Sequence, residues 1–547
     1  MGSGLFRFDS LSIFVGIFIV FFSLLIMLYS FGLRRRIKGI IRYYLYIIIT
    51  SIISLAAVFS NNLILFVIFW GFLGLTLYLL IGFGQKEHTS STAKKAFIII
   101  GGTDALMLLG IAFIWQMTGS LDMDKIKIAL DTKPAVLAYL CLAAGAFAKA
   151  GAMPFHTWVP DTAEDAPTPV TAFLPASLDK LLGIYFLVRI SLDMFVMNMA
   201  MNIFLSVIGS FTIIAAVMMA LIQHDLKRLL GYHAVSQVGY MILGIGTGTP
   251  IGIAGGLFHM LNHAIYKSCL FLSGGSVEEK TGTTDLEKLG GYAKIMPVTF
   301  ITFLIASFAI SGVPPFNGFA SKWMIYQGII ETAKSGGYLW VVWLVAAMFG
   351  SALTLASFMK LIHAVFLGQP ASPGAQEPTR EVSWTLWLPQ VFLATICVVF
   401  GIFAYNIPLK YFIFPSLGMD VKFYGVWNPG LATILIFASI VIGVIIYFIG
   451  NISKARQADV FIGGEVLKEH PDIRVSGTQF YDTVKEMSPL RTIYILAEKK
   501  AFDIYEQGKK ITFGIGRFLQ YLHNGILPTY LVWTLLGMMG LFLVLMR

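Results

Sequence analysis

The chain has 547 residues, of which 57% are hydrophobic, 14% aromatic and 12% charged, and its mean hydropathy is +0.79. Soluble globular chains carry about 25% charge, so the composition excludes a soluble multidomain protein and leaves a polytopic membrane protein. In such a chain the net charge of +10 reports loop orientation rather than nucleic-acid binding.

A span takes about 20 apolar residues. Fourteen are predicted, near 10–32, 41–59, 62–83, 97–117, 136–158, 168–190, 201–223, 228–246, 251–275, 297–331, 339–367, 385–409, 429–450 and 526–547. The first is read as retained rather than as a cleaved leader, because its apolar run is long and no small-residue cleavage site precedes the basic Arg34-Arg35-Arg36-Ile37-Lys38 cluster. With fourteen spans, the basic segments 34–42, 86–95, 224–228, 280–294 and 454–456 all fall on one side. The positive-inside rule makes that side cytoplasmic and puts both termini outside.

Two spans are interrupted. Residues 136–158 hold Gly145, Lys149, Gly151 and Pro154, and residues 297–331 hold Gly312, Pro314, Pro315, Gly318 and Lys322. Proline inside a span removes a backbone hydrogen bond, and open backbone is tolerated at membrane depth only where protein or a cavity lines it. One break follows its lysine and the other precedes its own, as an inverted repeat would arrange them. Two ordinary kinked helices are the plainer alternative.

The domains predicted are an N-terminal span and basic loop over 1–40, two repeats over 41–195 and 196–367, additional spans over 368–450, an amphipathic segment over 451–525 and a terminal span over 526–547. In the amphipathic segment, Ala497, Ala501, Ile504, Tyr505, Gly508, Ile511, Ile515, Phe518 and Leu522 recur at helical spacing opposite Lys499, Lys500, Lys509, Lys510 and Arg517. Residues 481–523, if wholly helical, would reach about 65 Å, with kinks expected at Pro489, Gly508, Gly514 and Gly516. Such a helix either lies along the membrane edge or caps the chain's own loops.

An ionisable group at mid-membrane costs about 2.5–3.5 kcal/mol on insertion scales, so each needs a partner or a task. The deep candidates are Asp104, Lys149, Asp179, Lys180, His233, His259, His263, Lys267, Lys322, Lys360 and His363. Lysines and histidines in series suit proton relay, since burial loosens a lysine's proton and a nearby carboxylate holds it. His259, His263 and Lys267 share one helical face at i, i+4, i+8. That spacing suits either a metal-binding pair or a hydrated polar stripe, and the stripe is preferred because no further ligand is at hand. Asp179 and Lys180 also read as a structural ion pair, Lys360 and His363 as side chains snorkelling to the cytoplasmic end of their span, and His156 as packing at the break. Cys141, Cys269 and Cys397 stand in apolar runs without a CxxC or Cys/His cluster, so no cofactor or metal site is encoded. Nucleotide-binding glycine motifs are also absent from the sequence.

At these residues the sequence resembles the antiporter-like (L, M and N type) subunits of respiratory complex I, the large subunits of multisubunit Na+/H+ antiporters, and their counterparts in membrane-bound energy-converting hydrogenases. The motifs are Ala148-Lys149 through Pro154 to Pro160-Asp161, Ala166 to Val170, Asp225 to Arg228, Ser236 to Tyr240, His259 to Lys267, and Gly312 to Lys322. The resemblance implies an all-α membrane fold of two inverted five-helix repeats with the broken helix fourth in each. Lys149 would be the central lysine of the first half-channel, Lys267 with the histidines the connecting stripe, and Lys322 the exit-side residue. Asp104 fits the family's aspartate in the preceding helix, and the amphipathic segment the lateral helix of L-type subunits. Three departures stand out. Gly71 replaces the glutamate of a Phe-Trp-Glu pattern; Lys180 is one residue out of register, with Pro175 where a histidine can occur; and about two N-terminal spans of the L type are missing. Either Asp104 or Asp179 takes over as charge partner, the preferred reading, or the first half-channel no longer switches.

The expectation is a proton-translocating subunit of a redox-driven complex in a prokaryotic cell membrane, most like the hydrogenase-type members. Iron–sulfur clusters and a nickel–iron or quinone site would lie in a peripheral redox arm and other partner subunits. The alternatives are a subunit of a multisubunit Na+/H+ antiporter and a non-pumping anchor.

Overall fold

The computed structural model describes residues 4–335, 337–368, 380–423, 429–449, 478 and 481–546. The helices are α1 Ser10–Gly32, α2 Ile40–Phe59, α3 Leu63–Ile81, α4 Thr89–Thr118, α5 Lys133–Ala150, α6 Trp158–Asp165, α7 Thr168–Phe173, α8 Asp179–Val188, α9 Met199–Leu221, α10 Leu226–Gly246 and α11 Pro250–Thr281. There follow α12 Pro297–Ser311, α13 Asn317–Glu331, α14 Leu339–Ile362, α15 Trp384–Ile402, α16 Phe414–Leu417, α17 Pro429–Ile449, α18 Asp482–Glu486, α19 Leu490–Glu498, α20 Ile504–Leu522 and α21 Leu527–Leu545. Side-chain caps fix several starts: Asp9 accepts from Ser12 N, Asn62 from Ile64 N, Asn198 from Met201 N and Asp225 from Arg228 N.

The chain divides into two compact units, Met1–Glu486 and Met487–Arg547. In the first, α2 to α8 and α9 to α14 form two repeats, each with its break in the fourth position, between α5 and α6 and between α12 and α13. Helix α11 lies on the seam, packing against α10, α12, α13, α15, α7 and α8, and every residue from Ile251 to Val277 is buried. Glycine permits that closeness: a Cβ on Gly328 would fall 2.4 Å from Gly252 Cα.

Each of the fourteen predicted segments contains a helix, and among the described residues searched ten helices are long and apolar enough to cross a membrane. Helices α10 and α11 fall short because they carry the polar groups of the seam. The second break divides 297–331 into two helices of 15 residues each, while α17 covers the expected 429–450 segment. The first interrupted span ends earlier than predicted, at Ala150 rather than 158.

Four of the five basic segments meet at one end of the first unit. Gln85 Nε2 donates to the Arg36 carbonyl at 2.7 Å, Arg36 pairs with Glu279 at 2.8 Å, and Lys95 with Asp161 at 2.8 Å. The fifth, 454–456, lies outside the described residues. At the other end of α1, Arg189 holds Asp9 and Asp193 at 2.5 and 2.7 Å. Burial raises the Asp9 carboxyl, but the Arg189 and Ser12 hydrogen bonds and the Arg189 charge together hold it at about 2.

Two expectations are corrected. Lys360 does not snorkel: it is buried, and its ammonium donates to the Leu221 and Gln223 carbonyls at 2.8 and 2.9 Å, capping the end of α9. In the second unit, Gly508, Gly514 and Gly516 sit inside an unbroken α20. The expected break at Pro489 is present, α19 starting at the next residue, and a further break falls at 499–503, where Lys500 takes φ 56 and Asp503 caps α20 through Tyr505 N, because a side-chain cap restarts a helix more decisively than glycine stops one. The larger part of the predicted segment 451–525 before α18 lies outside the described residues.

Gly318 and Gly71 make a contrasting pair. A Cβ on Gly318 would fall 1.8 Å from the Ala309 carbonyl oxygen, whereas one on Gly71 meets nothing within 4 Å. Gly318→Ala is expected to lower the melting temperature of the detergent-solubilised chain or abolish its accumulation, and Gly71→Ala to leave both unchanged or slightly improved.

Candidate ion-translocation site

Helix α5 ends at Lys149-Ala150 because Gly151 follows with φ 78. No ordinary side chain fits there: a Cβ would fall 2.5 Å from Val159 Cγ2 and 3.0 Å from Lys180 Nζ. The break frees carbonyls inside the membrane, and side chains satisfy them. Trp158 Nε1 donates to Ala148 O at 3.0 Å, and the Lys180 ammonium donates to Ala150 O. The second break is built alike. Gly312 takes φ 82, a Cβ there would meet Lys322 Cδ at 3.0 Å, and Lys322 Nζ donates to Ile310 O at 2.9 Å. In the first half the capping lysine comes from α8, in the second from α13 of the broken element itself.

The neighbouring Asp179 and Lys180 are not paired with each other. Asp179 turns to Lys149, with Oδ1 3.8 Å from Nζ, both fully enclosed. Lys149 Nζ also lies 5.3 Å over the Trp70 ring and has no hydrogen-bond partner among the described residues. Asp104, half-buried on α4, acts on Lys149 through its charge but forms no ion pair with it; its carboxylate lies near the Trp70 indole, though Oδ1 has no well-aligned hydrogen bond among the described residues. Gly71 is half-buried and faces open space, so the α3 side chain that meets Lys149 is the neighbouring Trp70.

From there the buried polar groups run along α11. His263 lies within reach of the charges of Lys180 and Lys267 and of the Ala176 backbone, and neither of its ring nitrogens forms a well-aligned hydrogen bond among the described residues. Lys267 Nζ, also unpartnered, lies 5.7 Å from the rings of both Phe271 and Phe358. His233 bonds Ser357 Oγ at 2.7 Å. His259 bonds Ser321 Oγ at 2.9 Å and Gln237 Oε1 at 3.0 Å, with Tyr266 OH 3.3 Å away. Both nitrogens of His259 are therefore engaged by neutral groups, which favours the polar stripe over a metal pair. Lys322 Nζ sits 4.7 Å over the Tyr240 ring. Buried polar atoms without protein partners are sites that water satisfies, and here they lie among ionisable side chains. Asn262 Nδ2 donates to Asn317 O at 2.9 Å. Gln237, Asn262, Tyr266, Asn317 and Ser321 stand within the motif stretches named above, and Trp70 beside Gly71, but none is singled out there as a site residue; for four of them the signal is a polar residue inside an otherwise apolar helix.

Fold and site together define an antiporter-like membrane subunit. Residues 60–354 match the family model described as NADH:quinone oxidoreductase/Mrp antiporter, transmembrane, and the chain belongs to that family. It is 30% identical to the Na(+)/H(+) antiporter subunit A1 of Staphylococcus haemolyticus, over 72% of this chain and 52% of that one. To the NAD(P)H-quinone oxidoreductase subunit 5, organellar chromatophore 1, of Paulinella chromatophora it is 32% identical, over 69% and 61%. The chain thus spans about half to two thirds of the length of these curated relatives. Among solved structures, a chain of the archaeal membrane-bound sulfane sulfur reductase superposes with a TM-score of 0.82 at 24% identity, over 98% of this chain and 89% of that one. A chain of respiratory complex I from Thermus thermophilus superposes with a TM-score of 0.62 at 25% identity, over 75% and 88%.

Lys180→Met removes the donor from Ala150 O in a buried setting. The expected loss is about 1–3 kcal/mol, read as a lowered melting temperature in lipid nanodiscs, and smaller for an exposed lysine such as Lys125, changed in the same way.

Proposed function

We propose that this chain is the proton-translocating membrane subunit of a redox-driven complex. The observation that carries the reading is the buried series Lys149–Asp179, His263, Lys267, His259 and Lys322, which crosses both repeats along α11. Its members are lysines and histidines rather than the clustered oxygen ligands that hold a bare cation, which supports H+ over Na+. Asp179 takes the part of the carboxylate missing at Gly71: movement of its charge relative to Lys149 changes how tightly that lysine holds its proton, and Asp104 adds a second, more distant negative charge.

Electrons flow elsewhere, because the sequence offers no cluster or cofactor motif. Partner subunits would hold the iron–sulfur clusters and a nickel–iron or quinone site. The similarity to a chain of an archaeal respiratory complex over 98% of this sequence supports a redox assembly. The basic end of the first unit is assigned to the cytoplasm and both termini to the outside. A second reading, a subunit of a Na+/H+ antiporter, is favoured by the named function of the Staphylococcus haemolyticus relative.

A mild-detergent pull-down of the tagged chain from native membranes, read by mass spectrometry, separates the two. Co-purifying iron–sulfur proteins are expected; an assembly of small hydrophobic subunits alone would replace the redox reading with the antiporter. In inverted vesicles holding the intact assembly, Lys267→Met is expected to lower ion transport at least about tenfold while subunit composition stays unchanged.

A further inference from the structure

The turn between α1 and α2 builds a feature that the ion path does not use. Helix α2 follows Gly39, which has φ 74 and, lacking a side chain, leaves the first turn without a side-chain cap. Together with the end of α3 and the turn into α4, it encloses a cleft of about 690 Å³ lined by Lys38, Arg42, Lys86, Tyr46, Tyr78 and Phe83.

The charged groups of Lys38, Arg42 and Lys86 have no ion pair or hydrogen-bond acceptor among the described residues. Nearby cations are handled differently: Arg36 pairs with Glu279 at 2.8 Å, Lys95 with Asp161 at 2.8 Å and Lys227 with Glu278 at 3.2 Å. The one carboxylate on the rim, Glu87, is exposed and leaves the cleft net positive. Its wall is aromatic, the Phe83 ring standing edge-on to Tyr43 and Tyr46 at 5.5 and 5.9 Å. Beyond the cleft, α2 and α3 continue into the span with apolar side chains facing outward, Ile41 and Leu45 at 83% and 51% exposure and Phe72 and Leu75 at 51% and 41%.

We propose that this cleft holds the headgroup of an anionic phospholipid from the leaflet at the basic end. Its phosphate is neutralised by Lys38, Arg42 and Lys86. Its acyl chains lie on the outward apolar strip of α2 and α3. Inorganic phosphate would satisfy the cations, but it makes no use of the aromatic wall or the strip, so the lipid is the better fit.

The test uses the intact assembly, delipidated and returned to phosphatidylcholine vesicles doped with spin-labelled phosphatidylglycerol, with spin-labelled phosphatidylcholine as reference. Electron spin resonance reads the immobilised fraction. The native protein is expected to select phosphatidylglycerol, and K38Q/R42Q/K86Q to lower that selectivity at least about tenfold. K38R/K86R, which keeps the charge, should retain it, as should K125Q at the other end of the molecule. Equal selectivity in the native protein and the glutamine triple variant would overturn the proposal. So would loss of selectivity in K38R/K86R, and so would displacement of the lipid by millimolar inorganic phosphate, which would make the cleft a site for the free ion.

Discussion

The structure depends on one constraint: a carbonyl released from a helix inside the membrane must find a donor within the protein. Two helices break here, and at each break a glycine with positive φ makes room for a lysine that supplies the donor, Lys180 at Ala150 and Lys322 at Ile310. Capping thus places a positive charge in each half of the molecule at the point where the backbone opens. The side chains that keep the breaks stable are in part those assigned to ion movement under the proposed function.

The two halves differ in how these charges are balanced. In the first, Lys149 has Asp179 at 3.8 Å, Asp104 acts at longer range and Lys180 is held by a backbone carbonyl. In the second, Lys322 has carbonyl oxygens and the face of Tyr240 for company and no carboxylate partner among the described residues. On the proposed reading, a relay driven by a movable negative charge would have its switch in the first half, where the carboxylate lies beside Lys149, with α11 joining it to the second. The close packing of α11 on α13 through Gly252, Gly255 and Gly328 sets His259 beside Ser321.

Much of this was legible in the sequence, because membrane helices must read as apolar runs and breaks must show glycine and proline. Both breaks and the lysines beside them follow from those rules, while the two repeats rest on the family resemblance. Partnerships did not follow. Asp179 and Lys180 are adjacent and so look like a pair, but adjacent residues on a helix point about 100° apart, and the two side chains reach different elements. Lys360 near a helix end looks like a snorkelling lysine, yet the bend after α9 brings two open carbonyls to it. Gly71 drew attention as a lost carboxylate, while Trp70, the side chain that touches Lys149, was invisible as a site residue because tryptophan is ordinary in a span. In the amphipathic segment the glycines do not kink α20, and the Asp503 cap that restarts the helix is hard to read from sequence, since a cap signal is one residue long and carries no periodicity.

The central claim is that Asp179 is the charge partner that switches Lys149 in place of a carboxylate at position 71. Its most direct measurement is ion transport by inverted vesicles holding the intact assembly with Asp179→Asn or Asp179→Glu, at equal subunit content. The account predicts a loss of at least about tenfold for the asparagine and substantial retention for the glutamate. Full transport by Asp179→Asn would contradict it.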